Sequence, residues 1–173
     1  MRTRAYARAW TYHRMPTADL RTTLQALTTL TAQDFSGNTF DSRLRIQKAI
    51  YFLKAYGYGP AREYSFGDYF HGPYSSKLAD QYYELRGEGP KRPVVNPAPV
   101  FPAGFIEFLR EATKAGIDTL EAAATMHAFL TRNRGASGAD AIAYLRKVKG
   151  WLASRGREAL SLLERHRLVP VVT

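Results

Sequence analysis

Hydrophobic residues along this chain recur mostly at spacings of three and four, which is the periodicity of amphipathic α-helices. The first such run follows Thr17, a plausible N-cap, and predicts a helix there. A second predicted helix runs from about residue 42 to residue 56, with Asp41 or Ser42 as its cap. A third begins after Ser75-Ser76, whose hydroxyls suit an N-cap, and ends at a glycine.

The segment between the second and third helices is rich in aromatic residues. Residues 63–70 are too few for a helix and predict a short strand or extended segment with Tyr64 and Phe66 on one side. A structural corner is then predicted at Gly72, Pro73, Tyr74 and Ser75. The glycine permits a sharp reversal and the proline fixes the next φ. The helix start at this corner has a functional interpretation as well, because it could meet an anion such as a DNA phosphate.

The chain is helical in pattern from residue 102 onward. Five prolines lie within residues 87–103, which excludes a helix there and predicts an extended connector. Asp118 and Glu121 have the spacing of a capping box, and Ser137 is a further predicted cap. The apolar set expected to join the two halves is Phe105, Phe108, Leu120, Leu130, Leu145 and Trp151.

These patterns predict a mainly α fold with minor β, in which a winged-helix-like N-terminal core packs on a C-terminal helical half. The predicted divisions are a basic arm plus helix over 1–40, the winged-helix-like core over 41–88, the proline-rich connector over 89–101 and the helical half over 102–173. No apolar run approaches the roughly 18–20 residues of a membrane span, and the basic N-terminus lacks the apolar stretch of a secretory signal. The chain has no cysteine, so we expect a cytoplasmic protein without membrane contact.

The charge of the chain favours a polyanionic partner. Its 173 residues include 25 Lys plus Arg against 15 Asp plus Glu, a formal net charge of +10. Surface ion pairs in an arginine-rich protein explain this balance equally well. The strongest basic run, residues 144–157, contains no acid and is either a nucleic-acid patch or a solvated helix with Trp151 in the core. The residues predicted to bind nucleic acid are Arg43, Lys77, Arg146, Lys147, Lys149, Arg155 and Arg157.

Groups that could carry catalysis are scattered along the sequence. The four histidines are His13, His71, His127 and His166. They lie in different predicted elements, and none has a second ligand at the spacing a metal site requires. The chain also lacks a Gly-x-Ser-x-Gly elbow and a glycine-rich phosphate loop. We therefore expect no metal, no cofactor and no enzymatic activity.

Three segments together resemble a prokaryotic family. They are Arg45-Ile-Gln-Lys-Ala-Ile-Tyr-Phe-Leu, Tyr64-Ser-Phe-Gly-Asp-Tyr-Phe and His71-Gly-Pro-Tyr-Ser-Ser-Lys-Leu. Over roughly residues 40–168 the chain is similar to the YwgA-like proteins and, more distantly, to SocA-type (Panacea) antitoxin domains. Gly150 departs from the proline expected there. The resemblance implies a mainly helical, winged-helix-like fold and regulatory or antitoxin-type binding, and it supplies no catalytic residue.

Two functions from different classes follow from these observations. The first is a regulatory or antitoxin-like protein, acting in transcription regulation, that binds duplex DNA. The alternative is a protein-interaction module, or a homo-oligomeric antitoxin, that uses a tyrosine-rich surface and no nucleic acid. The tyrosines of that surface would be Tyr58, Tyr69, Tyr74, Tyr82 and Tyr83. Bases clustered on one face would favour the first function, and a wide aromatic patch the second.

Overall fold

The computed structural model describes residues 17–87 and 98–169 of the chain. Within these ranges the protein is mainly helical with one two-stranded antiparallel sheet, so the predicted mainly α fold with minor β is confirmed. The helices are α1 (Thr17–Thr31), α2 (Phe40–Ala55), α3 (Ser76–Gly87), α4 (Phe105–Ala115), α5 (Ile117–Arg132), α6 (Gly138–Val148) and α7 (Gly156–Arg165). Two 3₁₀ helices span Gly59–Glu63 and Gly150–Arg155, and the strands are β1 (Gly67–Tyr69) and β2 (Gly72–Tyr74).

Two of the predicted segments lie wholly or mostly outside these ranges. The basic arm before residue 17 and most of the proline-rich connector lie outside the described residues. Within the described ranges, no helix combines the length and the apolar character needed to cross a membrane.

Helix α2 begins two residues earlier than predicted. Thr39 is its N-cap: the Thr39 hydroxyl accepts a hydrogen bond from the Ser42 N–H at 3.1 Å, and the Ser42 hydroxyl accepts one from the Thr39 N–H at 3.1 Å. This reciprocal capping satisfies two N–H groups that a helix start leaves without partners. The predicted caps Asp41 and Ser42 therefore lie inside the first turn. The predicted cap of α6, Ser137, is confirmed.

The aromatic segment forms a hairpin, where the sequence predicted one strand and a corner. Glu63 ends the first 3₁₀ helix, and Tyr64 after it is extended and completely buried. The strand itself begins only at Gly67, so it is shorter than the predicted segment over 63–70. Strands β1 and β2 pair with Gly67 opposite Tyr74. Gly72 makes the predicted reversal with a φ of +79°, and the Gly72-Pro73 pair is itself part of β2.

One apolar core joins the elements on both sides of the connector. Helix α5 is its centre: residues 119–128 are all buried, and the helix packs against α2, α4, α6, α7 and β2. The predicted core residues are buried except Trp151, which is 52% exposed. Helix α6 ends at Val148 and the backbone then departs from helical geometry at Lys149. This break resets the helical phase, so that Leu152 turns inward and Trp151 turns outward.

Helix α1 completes this core from the N-terminal side. It packs against α3 and α4, and Leu20, Leu24 and Leu27 of its predicted apolar stripe are buried. Each such side chain contributes about 1.5–3 kcal/mol when fully buried. The fourth leucine of the stripe, Leu30, lies at the edge of the core and stays exposed.

Candidate functional site

Helix α2 holds the hairpin through two consecutive polar residues. Gln47 Nε2 donates a hydrogen bond to the Ser75 carbonyl at 2.9 Å, and the Ser75 N–H donates one to Gln47 Oε1 at 2.9 Å. Lys48 Nζ donates to the Pro73 carbonyl at 2.8 Å. The Ser75 hydroxyl also accepts a bond from the Leu78 N–H at 3.4 Å, at the start of α3. The backbone of the corner that the sequence singled out is therefore fixed by hydrogen bonds with two side chains of α2.

A buried cluster of charged side chains lies beneath β2, and we call it the lysine cluster: Lys48, His71, Glu121 and Lys149. Lys149 Nζ donates to Glu121 Oε1 at 2.6 Å, and His71 Nδ1 lies 3.2 Å from the same carboxylate. The side chains of Lys48, Glu121 and Lys149 are almost completely buried. A Cβ added to Gly72 would lie 3.6 Å and 3.7 Å from Nζ of Lys48 and Lys149. The strand thus passes directly over the Nζ atoms of both lysines, one of which is paired with Glu121.

Burial perturbs the titration of both lysines. It lowers the pKa of Lys48 to about 7; the Glu121 carboxylate opposes this shift and the Lys149 ammonium adds to it. Burial also lowers the pKa of Lys149, against the hydrogen bond and the charge of Glu121. The Lys48 side chain therefore titrates near neutral pH.

Sequence reasoning did not find the lysine cluster. Glu121 was predicted as a capping residue of α5, but that helix begins at Ile117 behind Gly116, and the Glu121 side chain is buried against Lys149. The two partners are 28 residues apart and lie on different elements. No local spacing could have signalled their pairing.

A second buried polar pair joins α2 to α5. Tyr51 Oη and His127 Nδ1 are 2.7 Å apart. Burial lowers the pKa of His127 to about 4 and raises the pKa of Tyr51 above its ordinary value. The imidazole is therefore neutral at physiological pH. Phe52 and Phe66 lie against these rings, which is the setting of a core hydrogen bond.

An open cleft of about 360 Å³ lies beside the hairpin. Its lining comes from the hairpin, α5, α6 and the residue that follows α6: Asp68, Tyr69, Phe70, Gly72, Thr125, Tyr144, Val148 and Lys149. Asp68 is held by both terminal nitrogens of Arg132, one of them at 2.6 Å from Oδ1. The cleft therefore combines aromatic walls with a lysine that belongs to the buried cluster.

Four large apolar side chains are exposed around the hairpin, and we call them the hairpin-tip surface: Phe40, Tyr69, Phe70 and Trp151. Their exposed fractions are 51%, 65%, 67% and 52%. The Phe70 and Trp151 rings stack with centroids 4.8 Å apart. The Phe70 and Phe40 rings both lie edge-on to the His71 ring, with centroids 4.9 Å and 5.0 Å from the His71 centroid. The rings of Phe40, Phe70 and Trp151 are therefore connected through His71, and the Tyr69 ring lies against Tyr74 at 4.8 Å between centroids.

Three of the residues predicted to bind nucleic acid are engaged by carboxylates. Lys149 is buried in the lysine cluster. Lys77 donates to Glu63 Oε2 at 2.8 Å, and Arg155 lies 3.5 Å from a carboxylate oxygen of Glu158.

The other four predicted bases have no carboxylate partner in the described ranges. Arg43 donates to two backbone carbonyls in the loop before α2, both at 3.3 Å. Arg146, Lys147 and Arg157 are exposed. Arg146 and Lys147 lie in the last turn of α6, close in sequence to Trp151.

The structure divides the predicted tyrosine surface. Tyr82 is buried, Tyr58 and Tyr74 are half-buried, and Tyr69 and Tyr83 are exposed. Phenylalanine and tryptophan side chains take most of the exposed positions at the hairpin instead. The available signal was the pair of adjacent rings at residues 69 and 70, just before the reversing glycine.

The described ranges contain no group of three or more His, Asp or Glu side chains placed to hold a metal ion. Comparison of the chain with known protein families, characterised proteins and solved structures finds no match. Inference about function therefore depends on the hairpin-tip surface, the cleft and the lysine cluster.

Proposed function

We propose that this protein is a regulatory, antitoxin-like binding protein that recognises a protein partner through the hairpin-tip surface. The observation that carries the proposal is the set of four large side chains at the hairpin, each more than half exposed, of which Phe40, Phe70 and Trp151 are connected through ring contacts that include His71. Single exposed apolar residues are ordinary, whereas contiguous exposed patches mark interaction sites. Aromatic residues are also enriched at protein interfaces and among the side chains that dominate binding energy.

The support beneath the patch favours binding with little rearrangement. Gln47 and Lys48 fix the backbone of β2 from below, and Arg132 holds Asp68 in β1. A surface that is already ordered loses less conformational entropy when a partner binds. The aromatic side chains are therefore presented on a hairpin attached to the core.

We further propose that the protein acts by binding, without a cofactor and without catalysis, and that it acts in the cytoplasm. The resemblance to YwgA-like and SocA-type proteins supports a regulatory or antitoxin-type role. A second copy of the chain is the simplest alternative occupant of the patch, and sedimentation of the purified protein across a concentration series distinguishes it from another protein.

Site-specific photo-crosslinking in the producing cell tests this proposal. A benzophenone amino acid replaces Phe70 in one variant and Leu30, an exposed leucine of α1, in a matched control. We expect the Phe70 position to capture a discrete protein that the Leu30 position does not capture. The captured protein must then bind in purified form. Equal capture at both positions, or no direct binding after purification, would contradict the proposal.

Binding to duplex DNA is the second candidate, and one observation favours it. Arg146, Lys147 and Arg157 are exposed without ion pairs among the described residues, in a chain of net charge +10. Three phosphate contacts would give a slope of roughly −3 in a plot of log K against log salt. Anisotropy of a labelled duplex measures this slope, and R146E/K147E/R157E should abolish it. Salt-sensitive binding that F70S leaves unchanged would favour DNA over a protein partner.

A further inference from the structure

We propose that the cleft is a site for a carboxylate side chain of the protein partner, an aspartate or glutamate that pairs with Lys149 while adjacent apolar side chains pack on Phe70 and Trp151. This inference rests on the proposed function and names the chemistry of that partner.

The unused donors of Lys149 are the first reason. The buried Nζ atoms of Lys48 and Lys149 both lie next to Gly72, which lines the cleft. Lys149 Nζ has one hydrogen-bond acceptor among the described residues, Glu121 Oε1 at 2.6 Å, although an ammonium group carries three donors. A carboxylate that enters from the cleft, which Lys149 lines, would accept a hydrogen bond from one of the remaining N–H groups.

The other groups of the cleft do not repel an anion. Asp68 is the one carboxylate of the cleft lining, and Arg132 neutralises it with a bidentate contact. The net charge of +10 favours an acidic partner over a basic one. His71 contacts Glu121 and brings no carboxylate to the cluster.

The walls of the cleft make a carboxylate contact stronger and more selective. Tyr69, Phe70, Tyr144 and Val148 line the cleft with mostly apolar surface. Apolar walls displace water when a ligand enters, and an ion pair is stronger in a less polar environment. The volume of about 360 Å³ lies near the lower end for ligand pockets, which suits one or two side chains.

A pair of matched peptides tests the inference. The probes are N-acetyl-Leu-Asp-Phe-amide and N-acetyl-Leu-Asn-Phe-amide, which differ only in the charge of the central side chain. Binding is followed by amide NMR shifts and by the fluorescence of Trp151, with a W151F variant to assign the fluorescence signal. We expect the aspartate peptide to bind at least roughly tenfold more tightly, the range of a charged hydrogen bond.

A variant at the rim of the cleft, its matched control and a variant at the floor of the cleft sharpen the test. Val148→Glu places a carboxylate at the exposed rim of the cleft and should remove binding of the aspartate peptide. Leu30→Glu makes the same change at an exposed leucine of α1 and should leave binding intact. Lys149→Met should remove the preference for aspartate, and the rim variant decides the matter if this floor variant does not fold.

Several results would overturn the inference. These are equal affinity for the two peptides, no binding at millimolar peptide, unchanged binding by the Val148→Glu variant, or tighter binding of oligothymidylate than of the aspartate peptide. None of the peptide results decides the crosslinking test at Phe70, because that test requires no carboxylate on the partner. Failure of the inference is therefore distinct from failure of the proposed function.

Discussion

Replacing Gly72 with alanine tests how closely the hairpin is fitted to α5. The added Cβ would lie 2.7 Å from Thr125 Oγ1, and the φ of Gly72 is +79°. The left-handed backbone costs an L-residue about 1–2 kcal/mol. Overlap with a packed side chain adds about 1–3 kcal/mol. We therefore expect Gly72→Ala to lower the free energy of unfolding by about 2–5 kcal/mol.

Three further variants separate the backbone cost from the overlap. Gly57 has a φ of +84° and no atom within 4 Å of an added Cβ, so Gly57→Ala reports the backbone cost by itself. Gly67 in β1 has neither feature, and Gly67→Ala should change stability by less than about 1 kcal/mol. Adding Thr125→Ala to Gly72→Ala removes the overlapping hydroxyl. The double variant should recover to about the loss seen for Gly57→Ala.

Urea unfolding followed by far-UV circular dichroism gives the free energies of these four variants and of Thr125→Ala alone. The two single changes at positions 72 and 125 should be non-additive, because the side chains touch. The fitted-hairpin account would be refuted if Gly72→Ala were no more destabilising than Gly57→Ala. It would also be refuted if the change at Thr125 gave no recovery.

Three other predictions concern the buried polar groups. Lys48 has a pKa of about 7 in the folded protein against 10.5 ordinarily, so the protein takes up a proton when it unfolds between pH 7 and pH 10.5. The free energy of unfolding should therefore rise with pH in this window by up to about 1.4 kcal/mol per pH unit. Lys48→Met should flatten that rise in urea unfolding from pH 7 to 9, and parallel pH profiles would contradict the assignment. His127 has a pKa of about 4 against 6.5 ordinarily, so acidification through this window should lower the melting temperature of the parent more than that of His127→Phe; equal losses would count against a buried neutral imidazole. Gln47→Leu leaves the Ser75 N–H and carbonyl unpaired and should lower the free energy of unfolding in urea by about 2–4 kcal/mol. A loss below about 1 kcal/mol would show that the two bonds between Gln47 and the Ser75 backbone contribute little to stability.

Local patterns predicted the helices because each apolar stripe is encoded within a few turns. The stripe of α1 and the inward face of α5 are buried as expected, including Leu20, Leu120 and Leu130. The Ser137 cap was also predictable, since a hydroxyl and an acidic residue three positions later are a local signal. Predictions of this kind succeed because the interactions they depend on are close in sequence.

The candidate site could not be predicted in the same way. Whether Lys149 contacts Glu121 or a phosphate depends on how α5 packs against the end of α6. Trp151 was expected in the core because it continues the apolar pattern of α6, but the backbone break at Lys149 turns it outward onto Phe70. Gln47 and Lys48 could be singled out by resemblance, whereas their bonds to the hairpin backbone required the tertiary structure.

Calorimetric titration of the protein captured at Phe70 into purified variants tests the central claim most directly. The claim is that the hairpin-tip surface, and not the basic residues near it, supplies most of the binding energy. We predict that F70S/W151S weakens binding by at least roughly 30-fold, the effect of losing about 2 kcal/mol at an interface centre. The charge-reversal control R146E/K147E should weaken binding by less than about threefold at physiological salt, as expected for rim charges. A large loss in R146E/K147E with unchanged affinity in F70S/W151S would contradict the claim.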